Sequence, residues 1–258
     1  MRSCLLPLIA CLITPTMADT FCGTGETAIP DGGQTGTTWS IDVSEEGIVT
    51  NARTFVTVAH PWVGDLRLEL QSPDGVVVTI LDRPGMPNGS WIGPWGCGGD
   101  DINGLFTDTA STSAESMCSQ TEVPVLHGNL LPTEPLSTFK GHPAQGTWLM
   151  TAYDDSPVDA GSIVQLCVLL ETSPDCNSNG IADSEDIADG TSEDVDGNGI
   201  PDDCECPGDI TGEGIIDVED ILLVIAAFGQ DGGDEDINGN GQVDIADILI
   251  LIDGWGAC

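Results

Sequence analysis

Two phrases of the sequence place oxygen-bearing side chains at nearly every second position around a central glycine. They are DITGEGIIDVEDILLVI, from Asp209 to Ile225, and DINGNGQVDIADILILI, from Asp236 to Ile252. A twelve-residue calcium loop presents oxygen ligands at positions 1, 3, 5, 7, 9 and 12, takes the position-7 ligand from the backbone, and needs glycine at position 6 for its sharp turn. The alternation therefore predicts calcium coordination, and we expect calcium to be a folding ligand of this part of the chain.

Both phrases supply an oxygen at every ligand position of such a loop. The first predicts ligands at Asp209, Thr211, Glu213, the Ile215 carbonyl, Asp217 and Asp220. The second predicts ligands at Asp236, Asn238, Asn240, the Gln242 carbonyl, Asp244 and Asp247. Thr211 and Glu213 replace the Asn and Asp that such loops usually carry, so we expect the first loop to bind calcium more weakly than the second. Both loops end with Asp, whereas an EF-hand ends with a bidentate Glu.

Two further loops of this kind lie between residues 175 and 205. One predicts ligands at Asp175, Asn177, Asn179, the Ile181 carbonyl, Asp183 and Asp186. The other predicts ligands at Asp194, Asp196, Asn198, the Ile200 carbonyl, Asp202 and Glu205. These loops resemble thrombospondin type 3 repeats, and that resemblance implies a calcium-wrapped rod with little apolar core. The alternative is a flexible acidic linker without metal.

An aliphatic helix is predicted after each of the first two loops. One apolar face would carry Ile221, Leu222, Ile225 and Phe228, and its counterpart Ile248, Leu249, Ile252 and Trp255. Ile216 and Val243, at position 8, are expected to point inward and join the paired loops.

This tandem of loop-plus-helix units, from Cys206 to Cys258, resembles the type I dockerin. The resemblance implies two calcium ions, a near-twofold fold and docking to a cohesin-like receptor or cell-surface scaffold. Positions 10 and 11 are Val218-Glu219 and Ile245-Ala246, where many dockerins present Ser-Thr pairs, so the identity of the partner is left open.

The charge of the chain excludes some partners. The formal net charge is −38, from 43 acidic and five basic residues, and no Lys or Arg follows Lys140. Such a surface repels phosphate backbones and anionic lipid head groups, so nucleic acid is not expected as a partner. The alternative to a calcium-loaded tail is an acidic surface without metal, which would repel itself strongly.

The opening residues MRSCLLPLIACLITPTMADT have the composition of a secretory signal peptide, which we predict over residues 1–18. The alternative is a lipoprotein box with an acylated Cys11. No other segment has the roughly 20 apolar residues that a membrane-spanning helix needs. The sequence therefore predicts a secreted protein without a transmembrane segment, either extracellular or held at the cell surface.

Export makes disulfides the expected state of the cysteines that follow the signal. These are Cys22, Cys97, Cys118, Cys167, Cys176, Cys204, Cys206 and Cys258. Sequence alone allows many pairings. Cys206 and Cys258 flank the dockerin-like unit, Cys176 and Cys204 bracket the acidic segment, Cys97 and Cys118 close one loop, and Cys22 and Cys167 pair by elimination. A zinc site is disfavoured because only Cys204 and Cys206 lie close together and no His is nearby.

The region from about Thr27 to Glu171 consists of short β-type runs broken by Gly, Pro and Asp. In ARTFVTVAH, alternation places Val56 and Val58 on one face of a strand. GDLRLELQSPDGVVVTILD predicts a hairpin, with Leu66, Leu68 and Leu70 on one side and a turn at Ser72–Gly75. GTWLMTAYDDSPVDAGSIVQLCVLLE is expected to repeat the hairpin through a turn at Pro157–Gly161. The sequence therefore predicts an antiparallel β-sandwich.

Several motifs of this region occur in the order found in the P (Homo B) domain of subtilisin-like proprotein convertases, and the region resembles that domain over about 27–171. They are His60, Gly64-Asp65-Leu66, Leu70, Ser72–Gly75, Leu81, Phe139–Gly141, Gly146–Leu149, Asp154, Gly161 and Leu166. The resemblance implies a jelly-roll β-sandwich that stabilises a neighbouring protease without cutting anything itself.

No catalytic residues are predicted. His127-Gly128 and Gly190-Thr191-Ser192 resemble fragments of subtilase motifs, but a triad needs nucleophile, base and acid on one scaffold, and these lie in different regions. His60 and His142 are expected to be hydrogen-bonded structural residues. A serine-type endopeptidase label could still be inherited from the P-domain family.

The predicted fold is mainly β: a jelly-roll sandwich over 19–171, an acidic calcium-loop linker over 172–205, and a small α-helical dockerin-like module over 206–258. The sequence leaves three candidate functions: a secreted non-catalytic calcium-binding adaptor whose sandwich binds a partner or glycan, an accessory part of a secreted serine endopeptidase or polysaccharide-degrading assembly, and an enzyme acting alone. The adaptor is favoured because every recognisable motif binds or folds and none supplies a nucleophile with its base.

Overall fold

The computed structural model of the protein describes residues 18–32, 35–85, 96–118, 122–195, 197–211 and 214–257. The chain forms two compact units, one through Asp175 and one from Cys176 to Cys258. Some predictions lie outside the described residues: almost all of the signal peptide with Cys11, the ligands Asp196 and Glu213, and the disulfide partner Cys258.

The described part of the first unit is built from β-strands. They are β1 (Asp19–Ile29), β2 (Thr37–Val43), β3 (Ile48–Ala59), β4 (Leu66–Gln71), β5 (Val77–Asp82), β6 (Ile102–Phe106), β7 (Leu126–Leu130), β8 (Gly146–Asp154) and β9 (Gly161–Ser173). One sheet has the order β1-β9-β3-β6-β7 and the other β2-β8-β4-β5. The predicted mainly β class is confirmed, with two large sheets.

Alternating apolar residues explain which strand faces are buried. Val56 and Val58 of β3 are fully buried, as are Leu66, Leu68 and Leu70 of β4. Side chains from both sheets join one buried hydrophobic cluster. Its largest member, Trp148 of β8, donates its indole N–H to the Ala144 carbonyl at 2.9 Å. Its ring also meets Phe139 edge-on at 4.9 Å between centroids.

Two expectations about strand pairing were wrong. β4 and β5 do form the first predicted hairpin. In contrast, β8 and β9 belong to different sheets, so the turn at Pro157–Gly161 carries the chain from one sheet to the other. The strands are also not all antiparallel, since β6 and β7 pair in parallel. The connection between β6 and β7 is long enough for the return that a parallel pair requires.

Three of the four predicted disulfides are present. Cys22 is joined to Cys167, Cys97 to Cys118, and Cys176 to Cys204. The first joins residues that are direct partners in the β1–β9 register. Cys206 is also disulfide-bonded. The first two bridges lie within the first unit, where each closes a non-local loop of the β fold.

The second unit contains three short helices among its described residues. They are α1 (Asp183–Asp189), α2 (Val218–Ala227) and α3 (Ile245–Asp253), with the two-residue strands β10 (Ile215–Ile216) and β11 (Gly256–Ala257). α1 lies inside the segment predicted as a rod or linker, and the sequence reasoning did not foresee it. No described helix is long and apolar enough to cross a membrane.

Most of the residues predicted on the two apolar helix faces lie outside the small core of this unit. The small core of this unit is formed by Ile216, Val224, Ala227, Val243 and Leu251. The predicted residues Ile221 and Ile248 are half-buried against it, whereas the other six are exposed. These helices are apolar on several faces, so periodicity alone could not indicate which face a small core would cover.

The position-8 residues point inward as predicted, but they do not pair with each other. Ile216 pairs with Gly256, which follows α3. Val243 exchanges hydrogen bonds with the segment after α2: its carbonyl accepts from the Gly229 N–H at 2.8 Å, and its N–H donates to the Gln230 carbonyl at 3.0 Å. Each loop is therefore tied to the segment that follows the other loop's helix.

Candidate calcium loops and a buried ionic cluster

Asp220 and Asp247, at position 12 of their loops, are fully buried beneath them. The Oδ1 atom of Asp220 accepts the N–H groups of Ile210 and Thr211, at 2.9 and 3.0 Å. The Oδ1 atom of Asp247 accepts the N–H of Asn238 at 3.1 Å. The last ligand position of each loop is thus bonded to its first residues, as a loop closed around an ion requires.

The same two carboxylates also hold the start of each helix. Asp217 and Asp244, at position 9, are the N-caps of α2 and α3. Each N-cap side chain accepts a backbone N–H of the first turn, and the backbone N–H of the N-cap residue donates to the position-12 carboxylate at 2.8 Å. This is a capping box with Asp at the third helical position. One pair of carboxylates therefore ends the loop and begins the helix.

Both position-12 carboxylates are held in the ionised form. Burial opposes ionisation, but the N–H groups of Asp217 and Thr211, the Thr211 hydroxyl and the N–H of Ile210 outweigh it and lower the pKa of Asp220. The pKa of Asp247 is lowered in the same way, against burial, by backbone donors that include Asp244 and Asn238. A calcium ligand must be deprotonated, so the loops favour the charge state that binding needs.

Asp209 and Asp236, at position 1, bind the backbone at the far side of their loops. The carboxylate of Asp236 accepts the N–H groups of Asn240 and Gly241, at 3.1 and 2.7 Å. That of Asp209 accepts the N–H of Gly214 at 2.5 Å. Gly214 and Gly241, at position 6, have φ values of 81° and 94°, a region that favours glycine. Thr211 also reaches both Asp209 and Asp220, with its hydroxyl 3.2 Å from each.

The loop from Asp175 to Asp186 brings positions 3, 5 and 12 together. Asn177 and Asn179 both donate a side-chain N–H to Oδ2 of Asp186, at 3.2 and 2.8 Å. Asp186 is 1 % exposed, and its Oδ1 atom is buried without a hydrogen-bond partner in the part of the chain that the structure describes. A buried carboxylate oxygen without a partner is costly. Calcium would supply that partner, so the residues present fit the ion.

The loop from Asp194 to Glu205 shows the same convergence at the surface. The Asn198 amide donates to Oε1 of Glu205 at 2.5 Å, which joins positions 5 and 12. The carboxylate of Asp194 accepts three backbone N–H groups, those of Gly197, Asn198 and Gly199. Asp202, at position 9, accepts the N–H of Val195 at 2.9 Å. Backbone donors therefore hold the position-1 and position-9 carboxylates of this loop within the loop itself.

One further group of metal-binding residue types has another explanation. Ligand atoms of Cys176, Asp183 and Cys204 lie within 4.8 Å of one another. The two sulfur atoms form a disulfide, so neither is the thiolate that zinc requires. Asp183 instead accepts the N–H of Cys176 at 2.9 Å. This contact belongs to the calcium-type loop and not to a zinc site.

The first unit contains a buried ionic cluster that the sequence reasoning did not identify as a group. His60 and Asp154 are both buried, with Nε2 3.3 Å from Oδ2. The Trp62 N–H donates to Nδ1 of His60, so Nε2 is the ring nitrogen that donates to Asp154. Asp65 lies beside them, and its Oδ1 atom is buried without a hydrogen-bond partner among the described residues. Asp65 and Asp154 belong to the motifs that carry the P-domain resemblance. No local pattern indicated that His60 and Asp154, which are 94 residues apart in the sequence, would be in contact.

Burial raises the pKa of Asp65, and the nearby Asp154 charge adds to the rise. A hydrogen bond from Ser156 and the electrostatic attraction of His60 and Arg83 act in the opposite direction without cancelling it. Asp65 is therefore a carboxyl group whose charge is only partly compensated by its surroundings.

The residues considered for catalysis occupy structural positions. His127 in β7 has Nδ1 3.0 Å from the Pro124 carbonyl. Ser192 lies in the other compact unit. His142 bonds through Nδ1 to Asp74 at 2.6 Å. His60 is hydrogen-bonded and buried, as expected. The three histidines therefore have hydrogen-bonding partners of their own, and Ser192 belongs to the other compact unit.

The helices of the second unit expose large apolar side chains. Leu222, Ile225 and Phe228 of the first loop-helix unit are 57, 52 and 54 % exposed. Their counterparts Leu249, Ile252 and Trp255 are 57, 56 and 51 % exposed. Two corresponding apolar surfaces are thus left outside the small core of this unit, and we call them the α2 surface and the α3 surface.

Comparison with known proteins identifies one domain type. The family model for the proprotein convertase P-domain matches residues 49–168. The predicted P-domain resemblance is thereby confirmed over those residues. A search of the curated proteins found no match.

Similarity to solved structures is low. A serine protease of Aeromonas sobria in complex with the chaperone ORF2 is 15 % identical, with a TM-score of 0.35, over 59 % of this chain and 26 % of that chain. The Aeromonas sobria serine protease alone is 16 % identical, with a TM-score of 0.34 and the same coverage. A structure of infectious bursal disease virus Gt strain is 10 % identical, with a TM-score of 0.25, over 64 % of this chain and 36 % of that chain. This chain spans about a quarter of the length of the two protease chains.

Proposed function

We propose that the protein is a secreted, non-catalytic, calcium-binding adaptor. Its two-sheet unit would be a jelly-roll P-domain that binds a partner or stabilises a protease. Its acidic loops would bind calcium, and its helical tail would be a dockerin-like module that attaches to a cohesin-like receptor or cell-surface scaffold. The observation that carries the proposal is that, in each loop, residues at other ligand positions donate hydrogen bonds to the position-12 carboxylate and hold it against the loop.

The calcium part of the proposal is supported by ligand chemistry. Calcium prefers oxygen donors from carboxylates, amides and backbone carbonyls, and each loop offers these at the required spacing. The buried Oδ1 atom of Asp186 lacks a partner in the described part of the chain. The absence of Lys and Arg after Lys140 leaves cations as the means of offsetting so many carboxylates.

The attachment part of the proposal is supported by the α2 and α3 surfaces. Monomeric soluble proteins rarely leave several large apolar side chains exposed together, and such patches mark interaction sites. Val218 and Ile245, at position 10 of the loops, are 57 and 61 % exposed and extend each surface toward its calcium loop. An apolar receptor face fits this chemistry better than the Ser-Thr recognition of many dockerins.

The non-catalytic part of the proposal is supported by the P-domain match and by the arrangement of the candidate residues. The matched family is described as a domain of the convertases, which suits an accessory role. An oxidising compartment is supported by the three disulfides, because such bridges persist outside the cytosol.

A second candidate is favoured by the same P-domain match. In it, the protein is an accessory part of a secreted subtilisin-like serine endopeptidase or of a polysaccharide-degrading assembly. An adjacent gene for a subtilase that lacks its own P-domain would favour this role over the adaptor.

The calcium proposal is tested by titration calorimetry of the mature protein and of Asp186→Asn. Asp189→Asn is the matched control, since Asp189 is an exposed residue at the end of the same helix. We expect the Asp186 variant to lose one binding event while the control retains all of them. Unchanged calcium binding by the Asp186 variant would refute the proposal that the loop from Asp175 to Asp186 binds calcium.

The attachment proposal is tested by binding of purified cohesin modules, with calcium and with chelator. We expect binding only with calcium, and a loss of at least tenfold in affinity when Phe228 and Trp255 are both replaced by Ser. Val195→Ser is the control, because Val195 is an 81 % exposed apolar residue outside the two surfaces. Equal binding by the double variant and the control would show that the surfaces are not the contact.

A further inference from the structure

A small cavity opens where β8 ends and β4 begins. Its volume is about 320 Å³, and it is lined by Trp62, Asp65, Ser156, Pro157, Val158 and Asp159. Most of this wall is apolar, with a carboxylate from Asp65 and another from Asp159. The cavity lies wholly within the first unit and shares no residue with the calcium loops.

The cavity wall is held in place by neighbouring segments. A Cβ atom on Gly98 would lie 2.7 Å from the Trp62 ring, so the ring packs directly on that backbone. A Cβ atom on Gly32 would lie 3.0 Å from Pro157 Cα. The Val158 N–H donates to Oδ1 of Asp31 at 2.9 Å. These contacts fix both the aromatic side and the loop side of the cavity.

Val158 is an unusual residue at the mouth of this cavity. Its φ is 110°, a region that a β-branched side chain rarely adopts, and it is 86 % exposed. The Asp31 contact holds this conformation. Strained backbone of this kind is found at ligand clamps, where the surrounding structure maintains it.

Asp65 gives the cavity its chemical preference. The side chain is 4 % exposed, yet its Oδ1 atom has no hydrogen-bond partner among the described residues. Asp154 lies close enough to repel it, and Arg83 offsets the charge only in part. A ligand that brings a cationic donor would satisfy the free oxygen and the uncompensated charge together.

We propose that this cavity binds the basic side chain of a peptide, with the alkyl stem against Trp62, Pro157 and Val158 and the cationic head at Asp65 and Asp159. An anionic ligand would be repelled by two carboxylates. A purely apolar ligand would leave the Asp65 oxygen unpaired in a drier site, which is costly. The site goes beyond the proposed function and depends on no part of it.

The test uses four probes on the full mature protein: Nα-acetyl-lysine methylamide, Nα-acetyl-arginine methylamide, cadaverine, and Nα-acetyl-norleucine methylamide. Norleucine lacks only the ammonium of lysine. Binding is followed by the NMR shift of the Trp62 indole N–H, which a Trp62→Phe variant identifies. We expect the two basic peptide probes to bind at least tenfold more tightly than norleucine, since a charge-assisted hydrogen bond is lost with the ammonium. Tighter binding of the lysine amide than of cadaverine would assign the site to a peptide and not to a free amine.

Variants locate the contact. Asp65→Asn is expected to weaken binding of the lysine probe about tenfold or more, because the charge of its nearest acceptor is removed. Asp159→Asn, at a half-buried position, provides the same test if the first variant does not fold. Asp155→Asn is the control, since Asp155 is an exposed neighbour that pairs with Arg67 at 3.6 Å and does not line the cavity.

Three results would overturn the proposal. The first is equal binding of norleucine and lysine probes, which would make the cavity a purely apolar site. The second is unchanged lysine binding in both cavity variants. The third is displacement of the lysine probe by millimolar calcium, which would assign the carboxylates to an inorganic cation.

Discussion

Replacing Asp247 by Ala should abolish the protection of α3 when calcium is removed. The buried carboxylate accepts the Asn238 N–H at 3.1 Å and the Asp244 N–H at 2.8 Å. Hydrogen bonds to a charged group contribute about 1.5 to 3 kcal/mol each, so losing both costs about 3 to 6 kcal/mol. A module of this size has roughly 3 to 8 kcal/mol of stability in total. The loss is therefore comparable with the stability of the whole module.

A graded series separates the hydrogen bonds from the calcium site. Asp247→Asn keeps one acceptor oxygen and presents an NH₂ group to the other donor, so about half of the loss is expected in chelator. Asp253→Asn is the control, at an exposed position in the last turn of the same helix. The assay is amide hydrogen exchange across Ile245–Asp253, with chelator and with millimolar calcium.

Calcium should restore stability only where the ligand is intact. A site filled to a hundredfold excess over its Kd stabilises the folded state by about 2.7 kcal/mol. The unmodified protein and the Asp253 variant should gain this protection, and Asp247→Ala should not gain it at α3. Equal protection of all variants in chelator would refute the hydrogen-bond reasoning. An equal gain on adding calcium would refute the assignment of Asp247 as a ligand.

Three further outcomes follow from burial and hydrogen bonding. Because the pKa values of Asp220 and Asp247 lie below the ordinary 3.8, their contribution to stability is complete above 3.8 and is lost as the pH falls from there through the folded values. In chelator, α2 and α3 should therefore lose helical circular dichroism on acidification below about 3.8, and a gain of signal there would contradict this sign. Burial raises the pKa of Glu115 above 4.5, despite bonds from Thr133 and Asp82, so its ionisation destabilises the fold as the pH rises past its folded pKa. The melting temperature of Glu115→Gln relative to the unmodified protein should accordingly be higher at pH 7 than at pH 4.5, and the same difference at both pH values would be inconsistent with burial as the cause. Replacing the fully buried Trp148 by Ala should cost about 3 to 5 kcal/mol in urea unfolding of the first unit. Val77→Ala, at a 48 % exposed site, should cost far less, and comparable losses would exclude Trp148 as a core residue.

Local alternation was enough to predict strand faces but not strand partners. Val56, Val58 and the leucines of β4 are buried as the period of two indicates, because each strand has only two faces. β8 and β9 are consecutive and rich in β-type residues, yet they lie in different sheets. A turn such as Pro157–Gly161 can close a hairpin within one sheet or carry the chain to the other sheet. Which of the two forms depends on contacts with distant strands, which the local sequence pattern does not show.

The candidate sites also differ in whether local sequence or distant contacts determine them. Calcium binding by the loops stays a prediction from the spacing of their oxygen donors, which is a local property, and the capping boxes at Asp217 and Asp244 are formed by the same residues. Which face of each helix would contact the core was not predictable, because both helices are apolar on several sides. Of the five buried residues of that core, only Val224, Ala227 and Leu251 belong to these helices. The cavity at Asp65 joins loops 90 residues apart, and its chemistry is visible only in the folded chain.

The crossed pairing in the helical tail affects the order in which its two halves can form. The short strand of the first loop finds its backbone partner at Gly256, and Val243 of the second loop finds its own at Gly229 and Gln230. Neither loop-helix unit can therefore complete its hydrogen bonds by itself, although each carries its own set of predicted calcium ligands. During synthesis, the earlier loop-helix unit has no partner for Ile216 until residues 256–257 have emerged. The two loop-helix units are consequently expected to fold in one cooperative step. Proteolytic removal of the residues after α3 would expose the first loop as well as the second.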